Sequence, residues 1–436
     1  MNASPNNVRL VRSMTRLDVV AVTLNAVIGA GIFGLPAKVF ALVGDYSLLA
    51  FLACAFFAAL MVLCFAEVGS RFSGTGGPYL YLREALGPVP GFGAGWLTWI
   101  ARVSAFAANS NLLAGYVAVF APAVASGAGR LIFLSTVTLL LIAVNYAGVQ
   151  GAVRLNRFFT AGKLIPLSVL ILAGLWSVDW GRFVFAAPPE YGPFSNSVLL
   201  LVYAFTGFEM AVIPGGEIRN PQKDIPIALL TAISAIAVVY LLVQFVCIGT
   251  VPQLATSQHP IADAASRIMG PSGVVFVTFG IIISITGNLH VTLLSASRIP
   301  FAMGRRNELP AALGAAHPKF QTPHVSILLT GLVVLVLSVS GTFTYGVTVS
   351  TLARLTAYAG TCGALIVLRR SATAPEAHFQ LPGGIMIPVV SILLSLWLVS
   401  NSTWREARDT AIAVAAGFAI LALTRASRKE KHAILN

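Results

Sequence analysis

Charge is what this chain lacks. Asp, Glu, Lys and Arg make up 10% of its 436 residues, where a water-soluble domain carries about 25%. A chain so poor in charge cannot cover itself in water, which excludes a soluble enzyme or binding domain. Cysteine is scarce too: Cys54, Cys64, Cys247 and Cys362 all fall inside apolar stretches. They read as small buried hydrophobes, and neither a disulfide framework nor a metal site is expected. Six scattered histidines offer no His/Asp/Glu cluster and no nucleophile–base pair. That argues against the remaining enzymatic reading, a membrane-embedded catalyst, and no cofactor is expected. Acids are rarer than bases, 15 against 28, giving a net charge of +13. The basic residues lie between apolar runs and form no amphipathic face, so nucleic acid is excluded as a partner.

What is present is hydrophobic residues, 57% of the chain, with a mean hydropathy of +0.85. Apolar runs fall near 18–40, 46–69, 93–122, 130–149, 158–178, 195–215, 226–252, 272–297, 325–341, 344–368, 384–401 and 410–424. A span needs about 20 apolar residues, so an all-α integral membrane protein of about twelve transmembrane helices is expected, with lipid as its solvent. The ninth and tenth runs meet at Ser340-Gly341-Thr342, read as a tight turn. The N-terminus is polar for about 17 residues, and the first apolar run is too long for a cleaved signal peptide. With the N-terminus inside, the inner segments hold nineteen basic residues, among them Arg9, Arg71, Arg154, Arg305, Arg369 and Lys431. The opposite side holds six: Lys38, Arg130, Arg182, Arg267, Arg405 and Arg408. The positive-inside rule then places both termini in the cytoplasm and the protein in the cell (inner) membrane.

Two runs are interrupted. The first contains Gly29-Ala30-Gly31-Ile32-Phe33-Gly34-Leu35-Pro36; the sixth contains Thr206-Gly207-Phe208-Glu209 and then Pro214-Gly215-Gly216. Glycine costs about 1 kcal/mol inside a helix and proline about 3. Breaks at corresponding places five helices apart point to a transporter built of two inverted five-helix repeats. The repeats would cover about 18–178 and 195–370. Residues 1–17 would form a cytoplasmic tail, 371–424 two additional helices, and 425–436 a basic cytoplasmic tail. A break at mid-membrane frees backbone groups that lipid cannot satisfy. An amino acid offers a carboxylate to the N–H end and an ammonium to the carbonyl end. Gly29, Ala30 and Gly31 would present N–H groups; Tyr203, Ala204 and Thr206 would present carbonyls, with Val27 and Gly207 beside them.

These segments resemble a known family. Val22-Thr23-Leu24 through Ile28-Gly29-Ala30-Gly31-Ile32-Phe33 is similar to the first-helix signature of the amino acid–polyamine–organocation (APC) transporters. Ser73-Gly74-Thr75-Gly76-Gly77-Pro78-Tyr79-Leu80-Tyr81 resembles the loop after their second helix. Tyr203-Ala204-Phe205-Thr206-Gly207-Phe208-Glu209, followed by Gly216-Glu217-Ile218-Arg219-Asn220-Pro221-Gln222-Lys223-Asp224-Ile225-Pro226, resembles their sixth helix and the loop after it. Ser297-Arg298 through Glu308-Leu309-Pro310, and Leu352-Ala353-Arg354-Leu355 with Tyr358, extend the likeness to about residue 370. The resemblance implies a LeuT-type fold, with the last two helices outside a ten-helix core, and amino-acid substrates held at the two breaks.

Lys163, in Phe159-Thr160-Ala161-Gly162-Lys163-Leu164-Ile165, is the most informative charge. An intramembrane lysine costs about 2.5 kcal/mol or more and marks a functional site by default; snorkelling to the interface is its bland alternative. The resemblance implies a fifth-helix lysine standing where sodium sits in sodium-coupled relatives, bridging to carbonyls near Val27 and Gly29. Glu209, the one mid-span acid, is read either as a gating or proton-carrying group or as a packing carboxylic acid. Arg102 is a candidate for binding an acidic substrate side chain, His290 reads as a satisfied polar contact, and Glu67 with Arg71 as a gate or loop ion pair. Arg354 has no partner assignable from sequence. The expected function is sodium-independent secondary active or exchange transport of amino acids, with neutral side chains favoured by the shortage of acids. A polyamine or cationic amino-acid antiporter is the alternative. Protons are a possible further partner, and oligomeric state and any accessory subunit stay open.

Overall fold

A computed structural model describes residues 10–118, 120–185, 187–340, 343–400 and 404–435, without side-chain detail at residues 30, 149–150, 343–349, 406 and 427–435. Residues 1–9 of the expected tail, Arg9 included, and Gly341 and Thr342 of the expected turn lie outside the described residues. The described chain is helical. In order run α1 (Arg16–Val27), α2 (Ala30–Val43), α3 (Ser47–Arg71), α4 (Pro78–Leu86), α5 (Pro88–Ala118), α6 (Gly127–Tyr146) and α7 (Val149–Trp176). Then come α8 (Tyr191–Phe205), α9 (Pro221–Thr250), α10 (Pro260–Arg305), α11 (His324–Ser340), α12 (Phe343–Arg370), α13 (Met386–Ser400) and α14 (Trp404–Leu435).

Among the described residues eight stretches are long and apolar enough to cross a membrane, and α11 and α13 are shorter apolar helices. One stretch, Gly31–Arg71, is divided by a 3-10 turn at Gly44–Tyr46 into α2 and α3. The 31-residue α5 is less apolar because it is a core helix, buried along most of its length. The outer helices show the reverse. Leu139 and Leu140 of α6, Ile165 and Leu172 of α7, Leu332 of α11 and Leu393 of α13 are all more than half exposed. An apolar belt of this extent has no place in water and marks a lipid-facing surface. This is a multi-pass membrane protein.

The first span is broken as expected, into α1 and α2 around Ile28 and Gly29. The sixth differs in its second half. After α8 ends at Phe205, the chain makes two 3-10 turns, Phe208–Ala211 and Gly215–Glu217, rather than a second α-helical segment. Pro214 between them removes a backbone donor and obstructs a continuous helix. The segment after the second span, read as a loop, contains α4, begun by Pro78 at its first position. The eighth run is preceded by further helix: α10 starts at Pro260 and turns sharply at Gly270, whose φ of 67° and ψ of −161° are non-helical. The last helix continues past residue 424 to Leu435, so the expected basic tail is a helical extension.

Candidate substrate site at two broken helices

The last carbonyls of a helix have no partner within it, and at mid-membrane water cannot serve instead. At the end of α1 side chains from three other helices supply what is missing. Leu24 O accepts from Ile28 N–H at 2.9 Å. Asn25 O accepts from Lys163 Nζ at 3.1 Å and Asn288 Nδ2 at 3.2 Å. Ala26 O accepts from Asn288 Nδ2 at 2.7 Å, and Val27 O from the Tyr240 hydroxyl at 3.0 Å. Ile28 O accepts from Lys163 Nζ at 2.5 Å and Ser284 Oγ at 3.2 Å. Lys163 is therefore a buried cation at the negative end of α1, the favourable place for one. It is not snorkelling, being 1% exposed. Its carbonyl partners are those of Asn25 and Ile28, in the stretch near Val27 and Gly29. Val27 turns its carbonyl to Tyr240 because the peptide planes swing round at the break.

The end of α8 is closed in the same manner. Val202 O accepts from Thr206 N–H at 3.0 Å, Tyr203 O from Thr206 Oγ1 at 3.0 Å, and Ala204 O from Tyr240 OH at 3.1 Å. One hydroxyl thus faces both Val27 O and Ala204 O, and with a single proton it donates to one of them at a time. The two breaks lie against each other. A Cβ on Gly31 would meet Ala204 Cα at 2.7 Å, and one on Gly29 would meet Asn288 Nδ2 at 2.9 Å. Gly207 has a φ of +123°, and a Cβ there would lie 2.6 Å from Ala26 O. Only glycine fits this position, for both reasons.

The start of α2 is bare by contrast. Its cap residue Gly29 has no side chain to offer the first N–H groups, those of Ala30, Gly31 and Ile32, which form the positive end of the helix dipole. Of the eight residues expected to bind substrate, Val27, Gly29, Ala30 and Gly31 lie at the first break and Tyr203, Ala204, Thr206 and Gly207 at the second, and the two breaks approach each other at Gly31 with Ala204 and at Gly207 with Ala26. Tyr203 O has the Thr206 hydroxyl as its donor, whereas Val27 O and Ala204 O share the single proton of Tyr240.

Beside this point lies a cluster of charge. The Glu209 carboxylate accepts from Arg102 Nη2 on one oxygen, and from Gly207 N–H (3.0 Å) and the Tyr358 hydroxyl on the other. Arg354, unassignable from sequence, lies with Nε 4.0 Å from Glu209 Oε1 and donates from Nη1 to Thr206 Oγ1 at 2.5 Å. It also sits 5.8 Å from the centre of the Tyr203 ring. Tyr203 OH in turn donates to Asn109 Oδ1 at 3.3 Å, and Asn109 Nδ2 to Asn288 Oδ1 at 2.8 Å. His290 is a satisfied contact, its Nε2 2.8 Å from Ala152 O and its Nδ1 3.4 Å from Asn145. Among the described residues no group of three His, Cys, Asp or Glu side chains is placed to hold a metal ion.

On the face that carries the N-terminus, ion pairs tie the helices together. Arg298 grips Glu217 with Nε at 2.7 Å and Nη2 at 3.2 Å, both residues fully buried. Met14 N–H donates to Glu217 O at 3.0 Å and Arg219 N–H to Met14 O at 2.9 Å, a short parallel bridge. Asp18 caps α1 and pairs with Arg157 at 2.5 Å, and Asp224 pairs with Arg16 at 2.8 Å. Glu67 holds Arg71 at 3.1 Å, as expected, and also Arg369 of α12. Glu308 takes both Arg83 and the Tyr79 hydroxyl, the latter at 2.7 Å. Burial pushes the Tyr79 phenol up to about 12, which keeps it a donor at physiological pH.

A lipid-facing shell around two broken, mutually packed helices defines a polytopic carrier of small molecules. The chain belongs to the amino acid permease family, whose model matches residues 14–421. It is 26% identical over 432 residues to the serine/threonine exchanger SteT of Bacillus subtilis (strain 168), covering 97% of this chain and 98% of that one. It is 27% identical over 463 residues to the methylthioribose transporter of the same organism, covering 100% and 97%. Similarity to the b(0,+)-type amino acid transporter 1 of Mus musculus is 27% over 411 residues, covering 89% and 82%. The protein is an amino acid transporter and not an enzyme.

Proposed function

We propose that the chain carries amino acids by alternating access without sodium, binding the zwitterion where the two breaks meet. The observation that carries this reading is the uncapped start of α2, packed beside the end of α8. The substrate carboxylate sits on the N–H groups of Ala30, Gly31 and Ile32, the arrangement in which a helix start binds an anion. The ammonium sits at the carbonyl ends of α1 and α8, where the Tyr240 proton serves two acceptors and leaves one in need of a donor. Thr206 and Gly207 shape the floor of the site. Lys163 fills, with an internal cation, the carbonyl cage in which a sodium ion would otherwise be needed. Glu209 has both oxygens occupied, so a diamine finds no free carboxylate, which disfavours the polyamine and cationic alternatives.

Residues 18–370 act as the transport core, its five-helix repeats at about 18–178 and 195–370 rocking around the site, with α13 and α14 outside it. The protein resides in the cell (inner) membrane with both termini in the cytoplasm, so the ion-paired face is the inner one. Exchange suits this reading, and the relative SteT is named a serine/threonine exchanger. The test is uptake of labelled amino acids into proteoliposomes with and without internal amino acid, and with sodium replaced by choline. Uptake stimulated by internal amino acid and unchanged in choline is expected. A strict sodium requirement, or competition by putrescine but by no amino acid, would refute it.

A further inference from the structure

Two guanidinium groups share one carboxylate at the centre of this molecule. Arg102 is fully buried in α5, Arg354 is 5% exposed in α12, and Glu209 lies between them. One negative against two positive charges leaves the cluster with a net charge of +1. The donors tell the same story: Arg102 Nε and Nη1 and Arg354 Nε are buried and have no hydrogen-bond partner. A buried charge without its counterpart costs several kcal/mol, and more so within a membrane.

Among the described residues no other acid fills the gap, and the remaining buried carboxylates are engaged elsewhere. Asp18 binds Arg157, Glu67 binds Arg71 and Arg369, Glu217 binds Arg298, Asp224 binds Arg16, and Glu308 binds Arg83. Asp45 accepts from Val184 N–H at 2.7 Å. Asp18, Glu67 and Asp224 lie toward the ends of their helices, and Asp45, Glu217 and Glu308 lie in turns or connecting segments. The missing negative charge must therefore come from outside, and the place where it is missing adjoins the substrate. Arg354 Nη1 holds the hydroxyl of Thr206, the residue that ends α8 at the break. A side chain extending from a zwitterion seated between α2 and α8 toward α5 and α12 meets these guanidinium groups.

We propose that Arg102 and Arg354 form a side-chain subsite for a second carboxylate, so that the preferred cargo is an acidic amino acid. The inference rests on the amino-acid site proposed above and sets an anionic side chain against the neutral one expected from the sequence. A cargo carboxylate brings the cluster to two positive and two negative charges and gives the orphaned donors an acceptor. An amide of the same shape supplies an acceptor but no charge, which makes the acid–amide comparison the sharpest probe.

The full-length protein, purified, would be tested by ligand-dependent thermal stabilisation and by counterflow in proteoliposomes. The probes are L-glutamate against L-glutamine and L-aspartate against L-asparagine, in chloride and in gluconate buffer. The acid of each pair should act at a concentration lower than its amide by about tenfold or more, as for hydrogen bonds that gain full charge. Arg354→Gln should bring that ratio to within about twofold. Amides acting as well as the acids in the wild type would overturn the proposal while leaving the amino-acid site standing. So would stabilisation by chloride alone with no acid preference, which would make the occupant an inorganic anion. An acid preference that survives Arg354→Gln intact would place its recognition elsewhere. If no amino acid stabilises or exchanges, the amino-acid site itself fails and this subsite with it. Should Arg354→Gln not fold, the wild-type ratio still decides.

Discussion

Lys163 supplies one ammonium to two carbonyls, Asn25 O and Ile28 O, that the break between α1 and α2 deprives of helical donors. Its four-carbon stem lets a residue on α7 reach across to α1, and no neutral side chain in the described structure duplicates the contact at both. Ser284 covers Ile28 O and Asn288 covers Asn25 O only in part, at 3.2 Å each. Lys163→Ala should therefore remove one charge-assisted hydrogen bond from each carbonyl, at a cost of about 1.5–3 kcal/mol each, and free α1 from the helix that anchors it. Uptake should fall at least about tenfold and the melting temperature in detergent should drop. Unchanged transport by the alanine variant would remove the ammonium from the mechanism. That Lys163 mattered could be read from the sequence, since a lysine in an apolar run is expensive wherever it points. Which carbonyls it meets could not, because at a break the helical period no longer fixes where peptide planes face.

The broken helices themselves were legible, because glycine and proline mark an interruption by their own backbone chemistry. The details that close the breaks were not. Tyr240 and Asn288 lie inside long apolar helices, α9 and α10, where nothing in their spacing distinguishes them from ordinary polar packing. Arg102, Glu209 and Arg354 were each conspicuous alone, but Arg102 and Glu209 are 107 residues apart, and pairing at that distance is set by helix packing. The helix α4 was hidden because nine residues beside a glycine-rich stretch carry too short a pattern to read. Packing also changes what a substitution at a break would do. A side chain at Gly31 would not merely obstruct a carboxylate; it would strike the backbone of α8 at Ala204. Gly34, one turn further along α2, has nothing within 4 Å of a Cβ. Gly31→Val should lose both amino-acid binding and thermal stability. Gly34→Ala should keep binding and gain a few tenths of a kcal/mol or more from the better helix former. Equal behaviour of the two variants in a thermal-shift titration would contradict the close approach of α2 and α8.

In the whole molecule a backbone bridge and ion pairs tie the elements together on the face that carries Met14 and Arg16. A cavity of about 720 Å³, lined by Leu10, Arg12, Gly74, Thr75, Gly216 and Arg305 among others, opens on that face, and the Met14–Ile218 bridge and the Arg298–Glu217 pair lie next to it. The bridge joins the approach to α1, and the pair joins α10, to the segment after the second break, so under the alternating access proposed above opening of this face has to separate them. The pair is bidentate and fully buried. Removing one partner from such a pair costs about 3–5 kcal/mol, chiefly by stranding the other charge. If opening lets water reach Arg298, that cost falls on the closed state alone. Glu217→Gln should then shift the closed–open balance toward open by a factor of about a hundred or more. Met14 is fully buried under the bridge, and the four native cysteines are fully buried as well, so they contribute little background to a thiol label. Met14→Cys should be slow to react with a membrane-impermeant maleimide in inside-out vesicles, and should react markedly faster when combined with Glu217→Gln. The native cysteines should stay unlabelled in both, which separates gate opening from unfolding. An unchanged rate in the double variant would mean that the Arg298–Glu217 pair holds the fold together without controlling access to the site.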